Sequence, residues 1–216
     1  FRDFDHTLDS TVSMGWVATW DYAQFVPSEY GKGFWSVPRT LELKTYKEGL
    51  RLIQQPVEQL KKLRYQPVAV NRSLSPGVQN IPGFAPGENI YELDASFSTD
   101  VSNVFGFNLC VGDGRKVVVS YDTDSHNLVI DRTHCAAVSI PKFSRMSYTR
   151  VEPIDNKIRL HIFVDKSSVE IFANDGKEVF TLLTYPGESQ TGIEVFAQRK
   201  GTRMVLNAWM LRSIWK

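Results

Sequence analysis

The sequence has little cysteine. Its 216 residues include only Cys110 and Cys135, so one disulfide at most can form. Cysteine is among the residue types most often buried as a free thiol. We therefore expect two buried free thiols, and a single disulfide remains the alternative.

Long apolar runs and an excess of one charge are also lacking. The formal net charge is +1, with Lys and Arg scattered along the chain, which argues against electrostatic binding of nucleic acid or an anionic membrane. No apolar run approaches the roughly 20 residues that span a bilayer, and no signal-peptide pattern is present. We expect a globular chain with neither nucleic acid nor membrane as a partner.

Motifs for metals and phosphate-bearing cofactors are absent from the sequence. It contains no Gly-rich phosphate loop and no Gly-x-Ser-x-Gly elbow. The segment Asp122-Thr123-Asp124 lacks the rest of a calcium loop and is predicted to be a turn. The histidines have no partner at metal-ligand spacing; they are His6, His126, His134 and His161. We predict no metal and no cofactor.

The stretch LHIFVDKSSVEIFANDGKEVFTLLT, residues 160–184, is predicted to form three consecutive antiparallel strands. Apolar residues alternate with others at period two in its first part. Asn174-Asp175-Gly176 predicts a hairpin, since a type I′ turn needs positive φ at both central residues. From residue 89 onward, short strands separated by turn residues recur, which indicates an all-β sandwich.

Several segments resemble one enzyme family. IFVDKSSVEIFANDGKEVFT is similar to a motif near the C-terminus of glycoside hydrolase family 32, and GWVATWDY followed by SVPR resembles the last propeller blade of that family. The segments LIQQP, YD with DRT, and WMLRSIW also match this family in their order and spacing. The family comprises invertases, levanases and inulinases, which cleave β-fructosidic bonds with a five-bladed β-propeller followed by a β-sandwich.

The resemblance implies three parts. Residues 1–50 correspond to the last blade of an incomplete propeller, 51–88 to a connector with a short helix that begins near Pro56, and 89–216 to the sandwich. Within the connector, residues 72–89 are expected to be a polar link. One blade cannot close a ring, so its apolar face needs neighbours. The implied partner is the N-terminal propeller part of the same enzyme.

The resemblance also implies where catalysis resides. Retaining glycosidases hold two carboxyl groups ~5–5.5 Å apart. The family takes its catalytic carboxylates from an Asn-Asp-Pro-Asn-Gly motif, an Arg-Asp-Pro motif and a Glu beside a Cys, and none of these occurs here. We therefore predict no catalytic residue in this chain and no hydrolysis by the chain alone. The substrate of the whole enzyme would be a fructose-containing saccharide such as sucrose, inulin or levan.

Trp20 is the one candidate substrate-binding residue. By resemblance it matches a Trp at the floor of the fructose pocket, where a flat aromatic face suits the C–H face of a sugar. The alternative is that Trp20 belongs to the core of the blade. Thr19 and Asp21 stand where the family usually has Asn and Gln, so the polar contacts differ. Trp35 and Trp215 are predicted to be packing residues or, if exposed, a carbohydrate-binding platform.

Three acidic residues of the distinctive motif are expected to be structural. We predict turn and hairpin roles for Asp165 and Asp175, and an outward-facing side chain for Glu170 between Val169 and Ile171. Asn71 begins an N-glycosylation sequon, which matters only on a eukaryotic secretory route.

Two functions remain open at this point. One is the C-terminal portion of a β-fructofuranosidase-type hydrolase; the other is a non-enzymatic β-sandwich module that binds fructan or a protein. Residues 1–50 favour the hydrolase portion, because a single propeller blade with an apolar face has no role in a free-standing binding module. The resemblance further favours a secreted or periplasmic location and allows a homodimer.

Overall fold

The chain is built almost entirely from β-strands. The computed structural model describes residues 2–3, 11–28, 31–143 and 145–214. Within these ranges the helices are two short 3-10 segments, Ala23–Phe25 and Glu58–Leu63. The predicted all-β fold class is confirmed. No helix in this part of the chain is long and apolar enough to cross a membrane.

A small sheet precedes the sandwich. The first six strands are β1 (Arg2–Asp3), β2 (Thr11–Met14), β3 (Trp16–Val17), β4 (Phe34–Trp35), β5 (Arg39–Tyr46) and β6 (Gly49–Pro56). Four of them form an antiparallel sheet in the order β1-β2-β5-β6, while β3 pairs with β4 separately. Strands β2 and β3 are separated by Gly15, whose N–H donates to Ser36 Oγ at 2.9 Å.

The sandwich consists of two six-stranded antiparallel sheets. Its strands are β7 (Arg64–Ser73), β8 (Gly77–Asn80), β9 (Tyr91–Ser98), β10 (Val104–Gly112), β11 (Arg115–Asp122), β12 (Asn127–Asp131), β13 (Met146–Arg150), β14 (Lys157–Asp165), β15 (Ser168–Ala173), β16 (Glu178–Leu183), β17 (Gly192–Ala197) and β18 (Arg203–Leu211). The sheet that contains the hairpin motif has the order β16-β15-β14-β9-β18-β7, and we call it the motif sheet. The opposite sheet has the order β13-β12-β11-β10-β17-β8.

Aromatic rings fill the space between the two sheets. Phe97 on β9 stacks against Phe105 on β10 with ring centroids 4.8 Å apart, and it meets Phe107 edge-on at 5.4 Å. All three side chains are fully buried. Each aromatic side chain buries roughly 150–250 Å², so this cluster contributes a large share of the apolar area that holds the sheets together.

The predicted hairpin fastens the sandwich to the small sheet. Asn174 and Asp175 have φ of 46° and 58°, which confirms the positive φ that the turn requires. Gly176 approaches β6 so closely that a Cβ on it would lie 1.7 Å from the Gln54 carbonyl oxygen. Its own carbonyl accepts a hydrogen bond from the Gln54 N–H at 3.1 Å. Only glycine fits this contact.

The region predicted to connect the two parts holds more strands than expected. The polar link predicted over 72–89 contains strand β8, and β7 is an edge strand of the motif sheet. Pro56 ends β6 instead of opening a helix, and the 3-10 helix begins two residues later. Proline is tolerated there because β6 is the edge of the small sheet. Edge strands that carry polar residues and Pro do not show a regular alternation of apolar and polar residues. For this reason β7 and β8 were not predicted from the sequence.

Candidate functional site

Trp20 stands on the surface. It lies in the turn after β3, its side chain is 84% exposed, and its ring meets the Trp16 ring edge-on at 5.5 Å. Trp20 is therefore not covered by other residues of the described chain, and both its role in substrate binding and its role in blade packing stay predictions. An exposed indole braced by a second indole can offer a flat apolar face to a ligand.

Trp35 extends this exposed aromatic area. It pairs with Trp16 across the β3–β4 ladder and is 60% exposed. We call Trp16, Trp20 and Trp35 the aromatic surface. The Trp16 ring packs directly against the backbone at Gly33. A side chain at position 33 would prevent this contact, because its Cβ would lie 2.2 Å from Trp16 Nε1. Trp215, the other predicted platform residue, lies outside the described residues.

A cleft of about 230 Å³ opens beside the aromatic surface. Trp16 and Tyr22 line it from the first part of the chain, while Arg132 and Leu183 line it from the sandwich. Arg132 is buried, donates to the Leu183 carbonyl at 2.7 Å and lies over the Phe143 ring at 4.4 Å. The sandwich thus holds one wall of the cleft in place.

Glu170 is buried beneath the same region, so the predicted outward direction of its side chain is correct but the solvent exposure that this direction implied is not. Its side chain points away from the sandwich core, but the small sheet covers it and leaves it 3% exposed. It accepts hydrogen bonds from the Val37 N–H at 2.7 Å and from Thr181 Oγ1 at 3.3 Å. It also forms an ion pair with Arg39. This carboxylate joins the SVPR segment to the sandwich.

Burial governs the electrostatics of that pair. Desolvation raises the pKa of the Glu170 carboxyl, and the Val37 N–H and the Arg39 charge oppose the rise. Desolvation likewise lowers the pKa of the Arg39 guanidinium, against the effect of Glu170. Arg39 has a further partner in Gln54 Oε1 at 3.0 Å and lies over the Phe172 ring at 5.1 Å. Each charge is therefore tolerable only while the other is present.

The remaining acidic candidates are structural. Asp165 ends β14 and accepts a hydrogen bond from the Lys166 N–H at 2.7 Å. Asp175 lies in the hairpin turn and pairs with Arg159 at 2.8 Å. In the Asp122–Asp124 segment, the Asp124 N–H donates to Asp122 Oδ1 at 2.9 Å, as in a turn. Within the described ranges, His, Cys, Asp and Glu form no group of three that could hold a metal ion.

Both cysteines are free and buried, as predicted. Burial raises the pKa of each thiol to about 12. Cys135 Sγ donates to the Thr184 carbonyl at 3.1 Å. Neither thiol is suited to act as a nucleophile at neutral pH.

Asn71, the predicted glycosylation site, is exposed on the edge strand β7. Its side-chain oxygen accepts a hydrogen bond from Arg203 Nε at 2.9 Å. Glycosylation there stays a prediction.

Comparisons with known proteins agree with this architecture. Residues 57–210 match the family described as glycosyl hydrolases family 32 C terminal. A levanase from Bacillus subtilis (strain 168) is 33% identical over all of this chain, which covers 32% of that protein. An extracellular exo-inulinase from Aspergillus awamori is 29% identical over 83% of this chain, which covers 34% of it.

Solved structures show the same fold. The crystal structure of exo-inulinase from Aspergillus awamori superposes with a TM-score of 0.87 at 26% identity, covering 97% of this chain and 42% of that one. A fructosyltransferase from A. japonicus, at 18% identity and a TM-score of 0.76, supports the fold alone. The chain thus spans about a third of the length of the two curated relatives named above.

Proposed function

Because the chain belongs to glycosyl hydrolase family 32 and matches its C-terminal region, we propose that it is the C-terminal portion of an enzyme that hydrolyses β-fructosidic bonds. The two curated relatives described above bear the names levanase and exo-inulinase, both fructan-degrading enzymes. The substrate we propose for the whole enzyme is levan, inulin or sucrose. Its catalytic carboxylates come from the N-terminal part, since the motifs that supply them do not occur in these 216 residues.

One observation carries this proposal: the small sheet has an uncovered apolar face. Leu43 and Leu52 are direct partners in the β5–β6 ladder, and Leu50 follows on the same face. Their side chains are 64%, 49% and 60% exposed. We call these three residues the leucine face. On the opposite face, Ile53 is 3% exposed. A clustered apolar face of this kind marks an interaction surface.

The occupant that fits the leucine face is the preceding part of the same enzyme. Propeller blades pack face to face, so a blade at the end of the series needs a neighbour on its exposed apolar face. The relatives carry about two thirds of their length outside the matched region. This favours the enzyme portion over the free-standing binding module.

Within that enzyme the sandwich would act as a brace. The Arg39–Glu170 pair and the Gly176–Gln54 contact join the last blade to the sandwich. The aromatic surface then lies at a defined position relative to the rest of the propeller. We propose that Trp20 contacts the fructose unit of the substrate and excludes water from it.

Reassembly of the enzyme from two polypeptides tests this function. The chain and the N-terminal two thirds of a levanase-type relative would be produced separately, mixed, and assayed for fructose release from levan and inulin. We expect no release by the chain alone and release by the mixture. Fructose release by the chain alone would overturn the assignment of catalysis, and a mixture that associates but stays inactive on every fructan would overturn the substrate class.

A further inference from the structure

A second cleft, of about 220 Å³, lies where the connector passes over the motif sheet. The 3-10 helix Glu58–Leu63 forms one side, and the outer faces of β9 and β14 form the other. We call it the connector cleft and define it by Arg64, Glu92, Asp94, Arg159, His161 and Asp175. Its volume is below the roughly 300–1,000 Å³ of pockets for drug-sized ligands, so it suits a ligand of about one sugar ring.

A rigid polar triad forms the inner part of the cleft. Glu92 is 1% exposed and accepts hydrogen bonds from Arg64 Nε at 2.7 Å and Nη2 at 2.5 Å. It lies 2.5 Å from His161 Nε2. Arg64 also stacks over the Trp209 ring at 3.9 Å, and the His161 ring contacts Phe163 at 4.8 Å. These contacts hold the guanidinium and the imidazole in fixed orientations.

The triad leaves polar atoms available. Among the described residues, Arg64 Nη1 and His161 Nδ1 have no hydrogen-bond partner, although both side chains line the cleft. In the tautomer that carries its proton on Nε2, His161 donates to Glu92 and its Nδ1 is an acceptor. The cleft therefore presents a donor and an acceptor on immobilised side chains.

Asp94 adds a carboxylate that the described residues leave without a hydrogen bond. It lies directly opposite His161 in the β9–β14 ladder, where facing Cβ atoms are ~4.5–5.5 Å apart. Its side chain is 33% exposed, and its ion-pair partner Arg159 is 3.7 Å away, beyond hydrogen-bond distance. Arg159 is instead engaged by Asp175 at 2.8 Å. The Asp94 oxygens can thus accept hydrogen bonds from a ligand.

The lining of the cleft carries charges of both signs. Four carboxylates, those of Glu58, Glu92, Asp94 and Asp175, face the three cations Lys61, Arg64 and Arg159 and the imidazole of His161. With one carboxylate more than cations, the lining disfavours an anionic ligand. Closely spaced donors and acceptors of this kind match a neutral molecule with several hydroxyl groups.

We propose that the connector cleft binds one ring of a neutral saccharide, with Asp94 and His161 Nδ1 accepting hydrogen bonds from its hydroxyls and Arg64 Nη1 donating one. The identity of that ring as fructose rests on the proposed function. A fructan has many equivalent rings, so a site on the sandwich can hold one ring of a chain whose other end extends toward the aromatic surface.

The test is an NMR titration of the ¹⁵N-labelled chain with a β-2,6-linked fructose tetrasaccharide, in which the amide chemical shifts are measured at each ligand concentration. We expect saturable shifts at Arg64, Asp94 and His161. Asp94→Asn should weaken binding roughly ten- to a hundredfold, the factor for one hydrogen bond to a charged group. Asp100→Asn, an exposed carboxylate in the loop after β9, is the matched control and should bind like the parent chain.

The possible results of this titration distinguish failure of the cleft proposal from failure of the proposed function. Absence of saturable shifts in the cleft, or equal affinity of the Asp94→Asn and Asp100→Asn variants, would overturn the proposal. Should Asp94→Asn lose the dispersed spectrum of a folded chain, Asp94→Ser takes its place. Equally tight, Asp94-dependent binding of maltotetraose would support a saccharide site while contradicting the fructose assignment. Shifts confined to the aromatic surface would leave the proposed function intact and remove this inference.

Discussion

Arg39 and Glu170 form a buried ion pair although 131 positions separate them in the chain. Arg39 begins β5 of the small sheet, and Glu170 lies in the middle of β15. Both side chains are almost fully enclosed, at 6% and 4% exposure. The pair is therefore the polar centre of the contact between the two parts of the molecule.

Removing one charge of this pair should strongly destabilise the fold. We expect Glu170→Gln to lower the free energy of unfolding by about 3–5 kcal/mol, because Arg39 is left buried without compensation. Urea unfolding followed by tryptophan fluorescence measures the change. The control is Glu188→Gln, an exposed carboxylate whose replacement should stay within roughly 0.5 kcal/mol. Equal midpoints for the two variants would show that the pair is not structurally important.

The hairpin contact can be tested with two glycines. Gly176 and Gly114 have similar φ, 82° and 72°, but a Cβ at Gly114 would meet nothing within 4 Å. We expect Gly114→Ala to cost about 1–2 kcal/mol from the left-handed conformation alone. Gly176→Ala should cost clearly more, since its Cβ would overlap the Gln54 carbonyl. Thermal unfolding compares them, and an equal loss for both would contradict the close approach.

Stability should fall in acid because of Glu92. Burial opposes ionisation of this carboxyl, but hydrogen bonds from Arg64 and His161 outweigh burial and lower its pKa below the ordinary 4.5. A lowered pKa in the folded state means that the stabilisation is complete above 4.5 and is lost as pH falls toward the folded-state value. Unfolding free energies measured across this range should show a shallower acid decline in Glu92→Gln, which is also less stable at neutral pH. A parallel decline in both proteins would rule out Glu92 as its source.

Trp20 should matter for substrate and not for stability. In the reassembled enzyme, Trp20→Ala removes an aromatic contact worth about 0.5–1.5 kcal/mol, which corresponds to a roughly two- to tenfold loss in kcat/KM. Because Trp20 is 84% exposed, the unfolding midpoint of the chain should be unchanged. Tyr148→Ala, an aromatic residue on β13 at 74% exposure and outside the aromatic surface, is the matched control. Unaltered kinetics in the Trp20 variant would remove this residue from the substrate site.

The leucine face should control association. Replacing Leu43, Leu50 and Leu52 together with Thr should abolish co-migration of the chain with the N-terminal part, because an apolar contact area is lost. Analytical ultracentrifugation measures the association. The paired control replaces Val138 and Ile154, exposed apolar residues outside this sheet, with Thr. If the control dissociates equally well, the leucine face is not the contact.

Much of the sandwich could be predicted from the sequence, because strands with one buried and one exposed face show alternation. Strands β12 and β17, for example, alternate between buried and half-buried residues along their whole length. Strands β7 and β8 could not be predicted in this way, since both lie at sheet edges and carry polar residues. The hairpin turn was evident from Asn174-Asp175-Gly176, where the required φ values limit the choice of residue.

The environment of Glu170 could not be predicted in the same way. Alternation assigns it correctly to the face away from the sandwich core, but it cannot reveal that a distant strand covers that face. One clue was available: the flanking Phe163 and Phe172 also belong to that face, which is unusually apolar for a solvated surface. The connector cleft was equally hidden, because Arg64, Glu92 and His161 are far apart in sequence and meet only through strand pairing.

The separation between Arg39 and Glu170 also has a consequence for biosynthesis. During translation the small sheet leaves the ribosome well before its anchor on β15 exists. At roughly 5–20 residues per second, the 131 intervening positions correspond to an interval of the order of ten seconds. For that time the arginine has no counter-charge from Glu170, and the strands around it lack their support. The contact between the small sheet and the sandwich can therefore form only after the hairpin has been synthesised.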